Sequence, residues 1–168
     1  MLYALSYTIK MSKMSGKPPI GYFEYTVPPL EGLWWFEDQQ ELDFSMKDRF
    51  CWTSMIRQPE FVTEEVFNWA IEEVKRKKPE LDVSKAYFKS FSEGVCVQMM
   101  HVGPYDNEPE TIAQLERFIV DNHYKNAISR KLADGTIRNH HEIYLSDPRR
   151  AKPENLKTVI RIPIENKE

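Results

Sequence analysis

The order helix, strand, strand occurs twice along this chain, and that repetition constrains the fold more than any single motif. In the first copy, Leu2–Ser12 sets Leu2, Leu5 and Ile9 at helical spacing and runs into Gly16 and the Pro18-Pro19 pair, which stop a helix. GYFEYTVPPL (Gly21–Leu30) then alternates as a strand does, LEGLWWFE reads as a turn or short strand, and RFCWTSMIRQP (Arg49–Pro59) alternates again. In the second copy a helix carrying Ile112, Leu115, Phe118 and Ile119 is followed by the strands HHEIYLSD and LKTVIRIPI. GVCVQMMHVG precedes that second helix as a strand, with AYFKSF as its hairpin partner across the Glu93-Gly94 turn.

These patterns predict an α+β fold: tandem β-α-β-β repeats forming a curved antiparallel sheet, helices on one face, and a central cleft between the halves. We read one domain over 1–168, with a first half-repeat over 1–60, a connecting helix over 61–85 and a second half-repeat over 86–168. The connecting helix, FVTEEVFNWAIEEVKRKK, is the most strongly patterned. Thr63 caps it, Val66, Phe67, Ala70, Ile71 and Val74 form its stripe, Trp69 is expected in the core, and Pro79 ends it. In this reading the first repeat begins at its helix and is expected to lack an opening strand. The sheet edge it would cover is therefore expected to be bare and to promote a homodimer.

Composition narrows the functional classes. A formal net charge of −3 over 168 residues argues against nucleic acid, and the KRKK run at Lys75–Lys78 sits where cations complement a helix C-terminus. No apolar run is long enough for a membrane span, and the N-terminus lacks the order of a signal peptide. The two cysteines, Cys51 and Cys96, form no CxxC pair, which fits free thiols in the cytoplasm. No cofactor motif, Gly-rich phosphate loop or GxSxG elbow is present.

Attention therefore falls on NHHEIYLSDPRR (Asn139–Arg150), whose alternation puts His140, Glu142, Tyr144 and Ser146 in one row opposite Ile143 and Leu145. A half-exposed sheet alternates in the same way, so the row can be a solvated face. It can equally line the cleft, with Glu142 as its charge. His140 and His141 point to opposite faces and do not share an ion easily, so no metal site is expected. Trp34 and Trp35 also face opposite ways, and we assign Trp35 to the pocket, with Trp52 beside it.

GPYDNEPET, HEIYLSDPRRAKPENLKTVIRIPI and GKPPIGYFEYTVPPLEGLWW together resemble the GyrI-like family of small-molecule-binding domains. These are related to the effector domains of multidrug-responsive transcription regulators. The chain looks most like the stand-alone bacterial subgroup, some of whose members resemble hydrolases that open the cyclopropane ring of DNA-alkylating natural products. The resemblance implies that Glu142 is the acidic residue at the base of the cleft. Tyr105, Tyr144, Trp35 and Trp52 would be aromatic walls, and Met100, His101 and His140 further liners. The ligand would be a flat lipophilic or cationic compound, as in toxin or drug sequestration. In the hydrolase alternative, Glu142 would activate water and Tyr105 would donate to the developing oxyanion. A third alternative is a protein-interaction module of the gyrase-inhibitor type.

Overall fold

The computed structural model describes residues 1–16, 18–36 and 46–167. Glu37, the last residue of LEGLWWFE, lies outside them. The chain groups into two compact units, one formed by Met1–Pro29 with Ile56–Ser90 and the other by Leu30–Met55 with Phe91–Glu168. This grouping runs across the half-repeats because the strands of both copies hydrogen-bond into one sheet.

The first unit is built on α1 (Leu2–Lys10) and α2 (Glu64–Lys77). Leu5 and Ile9 of α1 meet Ala70 and Val74 of α2 in a core that also buries Phe61, Val62 and Val83. Thr63 caps α2 as the sequence indicates, its hydroxyl accepting from the Val66 N–H over 3.3 Å. A 3-10 turn (Met11–Ser15) extends α1 and ends at Gly16, whose φ of 73° suits a residue without a Cβ.

Two expected strands are replaced by aromatic packing in this unit. Gly21–Pro29 forms no strand. Tyr22 and Tyr25 pack on Phe61, the Tyr22 hydroxyl donates to the Lys10 carbonyl, and Pro28 and Pro29 have no N–H to give a ladder. Glu24 in this segment is exposed and ion-paired with Lys13. AYFKSF forms no strand either, because Phe88 stacks on Phe67 of α2 at 5.9 Å. Trp69 is a further correction: it is 37% exposed, since Ala70 and Val74 already fill the buried stripe.

The second unit carries the sheet. Its strands are β1 (Leu30–Phe36), β2 (Phe50–Met55), β3 (Cys96–Val102), β4 (Tyr124–Asn126), β5 (His140–Tyr144) and β6 (Lys157–Asn166). All pairings are antiparallel in the order β2-β1-β5-β6-β3, with β4 on the far end of β6. The α+β architecture with an antiparallel sheet is therefore present, and LEGLWWF, not GYFEYTVPPL, supplies the first strand after α1 and lies inside the sheet. The short β4 was not anticipated. Among the described residues β1 is the strand paired with β2, whose other edge carries none. α3 (Glu108–Asp121) lays Ile112, Leu115 and Ile119 on Ile160, Ile162 and Ile164 of β6. Phe118, expected in that stripe, is 51% exposed. No described helix is long and apolar enough to cross a membrane.

Candidate functional site

Register decides what surrounds Glu142. In an antiparallel ladder directly paired residues share a face. Glu142 pairs with Gly32 of β1 and with Ile160 of β6, and His140 pairs with Trp34, which in turn pairs with Trp52 of β2. His140, Glu142, Tyr144, Trp34 and Trp52 therefore stand on one face. Ile160 is covered by α3, so this is the face on which that helix packs and not the helix-free face, where two such repeats side by side would place a cleft.

Glu142 is 8% exposed. Tyr144 donates its hydroxyl to Oε2 over 2.7 Å, and the Trp34 indole N–H donates to the Tyr144 oxygen over 3.0 Å. His140 Nε2 lies 3.1 Å from Oε1, where against a carboxylate it acts as donor. The aromatic surroundings are continuous. Trp34 meets Trp52 at 5.8 Å and Phe50 at 5.9 Å, and Tyr105 meets Tyr144 edge-on at 6.2 Å. Burial pushes the Tyr144 phenol far up, helped by the Glu142 charge and hydrogen bond, so it stays a donor. Burial also raises the Tyr105 phenol, followed by the charges of Glu108 and Glu142.

Gly32 makes this approach possible. A Cβ there would lie 2.8 Å from the Trp34 indole nitrogen and 2.9 Å from the Tyr144 oxygen. No larger residue fits beneath that hydrogen bond without moving a ring.

Of the residues named from sequence, the structure brings together Glu142, His140, Tyr144, Tyr105 and Trp52, the last 61% exposed. It separates two others. Trp35 pairs with Cys51 and Met100 with Val159, on the opposite face, and Trp34 holds the position assigned to Trp35. His101 shares the Glu142 face but is committed to the loop before α3, with Nδ1 2.9 Å from the Thr111 hydroxyl and Nε2 3.0 Å from the Pro104 carbonyl oxygen. Sequence reasoning missed Trp34, Gly32 and Glu108. Glu108, 9% exposed in the first turn of α3, adds a second carboxylate near both tyrosines. An acidic residue beside Pro109 at a helix start was the available signal.

The opposite face holds a separate charged network. His141 Nε2 lies 2.8 Å from Glu31 and Nδ1 2.7 Å from Glu93, so both nitrogens donate and the ring is held as imidazolium. Burial opposes that charge, but the hydrogen bonds to Glu31 and Glu93 outweigh it and raise the His141 pKa. Arg161 closes the chain by bonding Glu93 and Gln98. Among the described residues no group of three or more His, Cys, Asp or Glu is arranged to hold a metal ion.

The family described as GyrI-like small molecule binding domain matches residues 2–165. No curated protein matches the chain. Among solved structures, one described as a hydrolase from Listeria innocua is 47% identical, covering 98% of this chain and 76% of that one, with a TM-score of 0.82. An uncharacterized conserved protein from Listeria innocua is 49% identical over the same shares, with a TM-score of 0.85.

Proposed function

Because this chain belongs to the GyrI-like family of small-molecule-binding domains, we propose that the Glu142 face takes up a flat lipophilic compound, cationic or polarisable, among its rings. One observation carries the reading: a carboxylate 8% exposed, held by Tyr144 and His140 and bordered by Trp34, Trp52 and Tyr105. A buried carboxylate favours a cation over a neutral ligand, and ring faces add cation–π attraction. Glu108 reinforces the same sign. Such a site suits sequestration of drugs or toxins.

The test is a fluorescence-anisotropy titration with rhodamine 6G, a flat cationic dye. Glu142→Gln keeps the shape and removes the charge, so affinity should fall about tenfold. Equal affinity in wild type and variant would reject the reading.

A second reading, hydrolysis of a conjugated cyclopropane, is favoured by the Listeria innocua relative described as a hydrolase. In this reading water forms a bond to the ring methylene as the strained carbon–carbon bond breaks. The electron pair passes through the conjugated system to the carbonyl oxygen. Glu142 takes the proton from water, and the new oxyanion accepts a hydrogen bond from Tyr105 and then the proton that Glu142 gives up, which restores the carboxylate. Incubation with a duocarmycin-type alkylator, followed by chromatography, tests it. Ring-opened product that disappears with Glu142→Gln supports the reading, and unchanged compound at high enzyme rejects it. The outer edge of β2, free of strand partners among the described residues, suits self-pairing of two copies, which a molecular-mass measurement in solution would test.

A further inference from the structure

The first unit contains an open groove of about 680 Å³ between the outer face of α1 with its following turn and α2 from Trp69 to its C-terminal end. It has no part in the Glu142 face. Helix α1 is apolar on two sides. Leu5 and Ile9 enter the core, whereas Tyr3 and Tyr7, with Met11 of the following turn, line the groove and are 44%, 51% and 43% exposed. An apolar helix face left open is a binding surface in search of an occupant. Tyr3 and Tyr7 lie one turn apart with ring centroids at 6.3 Å, and Trp69 of α2 also lines the groove.

Two polar features identify that occupant. Ser12 lines the groove at 3% exposure, yet its hydroxyl has no hydrogen-bond partner among the described residues, which is costly for a buried donor. The charged lining consists of Glu73, Lys77 and Lys78. Glu73 is neutralised by Arg76 at 2.9 Å and Lys77 at 3.1 Å. Lys78 has no ion-pair partner among the described residues, so one ammonium is left over beside three rings and an unmet hydroxyl. A volume of this size suits a small ligand.

We propose that this groove is a second binding site, selective for small flat aromatic anions such as aromatic carboxylates. The rings of Tyr3, Tyr7 and Trp69 would hold the plane of the ligand, while Ser12 and Lys78 would engage its anionic group. Its charge preference is opposite to that of the Glu142 face, so two ligand classes would be sorted between two parts of one chain.

The probe is 1-naphthoate, titrated into the full nitrogen-labelled chain and followed by the tryptophan indole N–H signals. The expected result is a saturable shift of the Trp69 signal below millimolar concentration, with the Trp34 signal unmoved. The dissociation constant should rise about fivefold in Lys78→Ala and about tenfold in Trp69→Ala. Lys78 is exposed, so its removal leaves the fold intact. The proposal is overturned by any of three results: no saturable Trp69 shift, an unchanged constant in Lys78→Ala, or equal binding of 1-naphthylmethylammonium. The first of these would leave a protein partner or another segment of chain as the groove's occupant.

Discussion

Tyr144 is bonded on both sides: it donates to Glu142 over 2.7 Å and accepts from the Trp34 indole over 3.0 Å. A half-buried phenol so placed fixes the rotamer of the carboxylate below it and of the ring above it. Tyr144→Phe keeps the ring but leaves Glu142 one donor short and the Trp34 N–H unmet. The expected cost is about 1–3 kcal/mol in a urea denaturation curve, together with weaker rhodamine binding. A variant as stable as wild type would mean that water replaces the phenol at no cost.

Gly32 offers a test of the same site from the backbone. With a Cβ at 2.8 Å from the Trp34 indole nitrogen and 2.9 Å from the Tyr144 oxygen, Gly32→Ala must push one ring aside. Overpacking of this kind costs about 1–3 kcal/mol. Dye affinity should fall in parallel, and the Trp34 indole signal should move in an amide correlation spectrum. An unmoved signal would contradict the contact.

Ile160 links the site to the core. It is fully buried, pairs with Glu142 and packs under α3. Ile160→Ala should destabilise the protein by about 2–5 kcal/mol. Thermal unfolding would show a lowered midpoint.

How legible this arrangement was depended on whether a feature lies within one segment or between segments. The stripe and cap of α2 and the alternation of β5 are local, and both were readable. Alternation also showed that Trp34 and Trp35 face opposite ways. Which one meets Glu142 is set by the pairing of β1 with β5, a register that neither strand encodes alone. The same limit hid the His141 network, whose carboxylates come from 110 and 48 residues away. Gly21–Pro29 alternates like a strand, but its tyrosines pack on Phe61 and it pairs with no described strand. The three-residue β4 is too short to carry a pattern.

The His141 network predicts a pH dependence of stability. His141 has a raised pKa in the folded protein, so its contribution is complete below the ordinary histidine value, about 6.5, and fades as pH rises through the folded value. Glu93 is lowered overall: burial pushes it up, but His141 and Arg161 prevail. Its contribution is present above the ordinary glutamate value, about 4.3, and fades as pH falls through the folded value. From this pair, urea midpoints should be higher near pH 5.5 than near pH 9, a difference that shrinks in His141→Gln. Equal slopes in the two proteins would remove His141 as the cause.

Arg138 is bonded to the backbone of Glu93 and is expected to position that residue in the network. It is 7% exposed and donates to three carbonyls: Nε to Glu93 at 2.9 Å, Nη1 to Ile164 at 2.9 Å and Nη2 to Val95 at 2.5 Å. The guanidinium thereby ties the turn before β3 to the end of β6. Gly94 lies in that turn with φ at +67°, and a Cβ on it would come 3.3 Å from the Arg138 Nη2. Lysine has a single nitrogen on a flexible stem and cannot span three acceptors with fixed geometry. Arg138→Lys should therefore release the turn, loosen the Glu93–His141 bond and lower the His141 pKa. A proton NMR titration of the His141 ring reads this directly, and its midpoint should move down toward the ordinary histidine value. If stability drops while that midpoint stays where it is in wild type, Arg138 clamps the backbone without positioning Glu93.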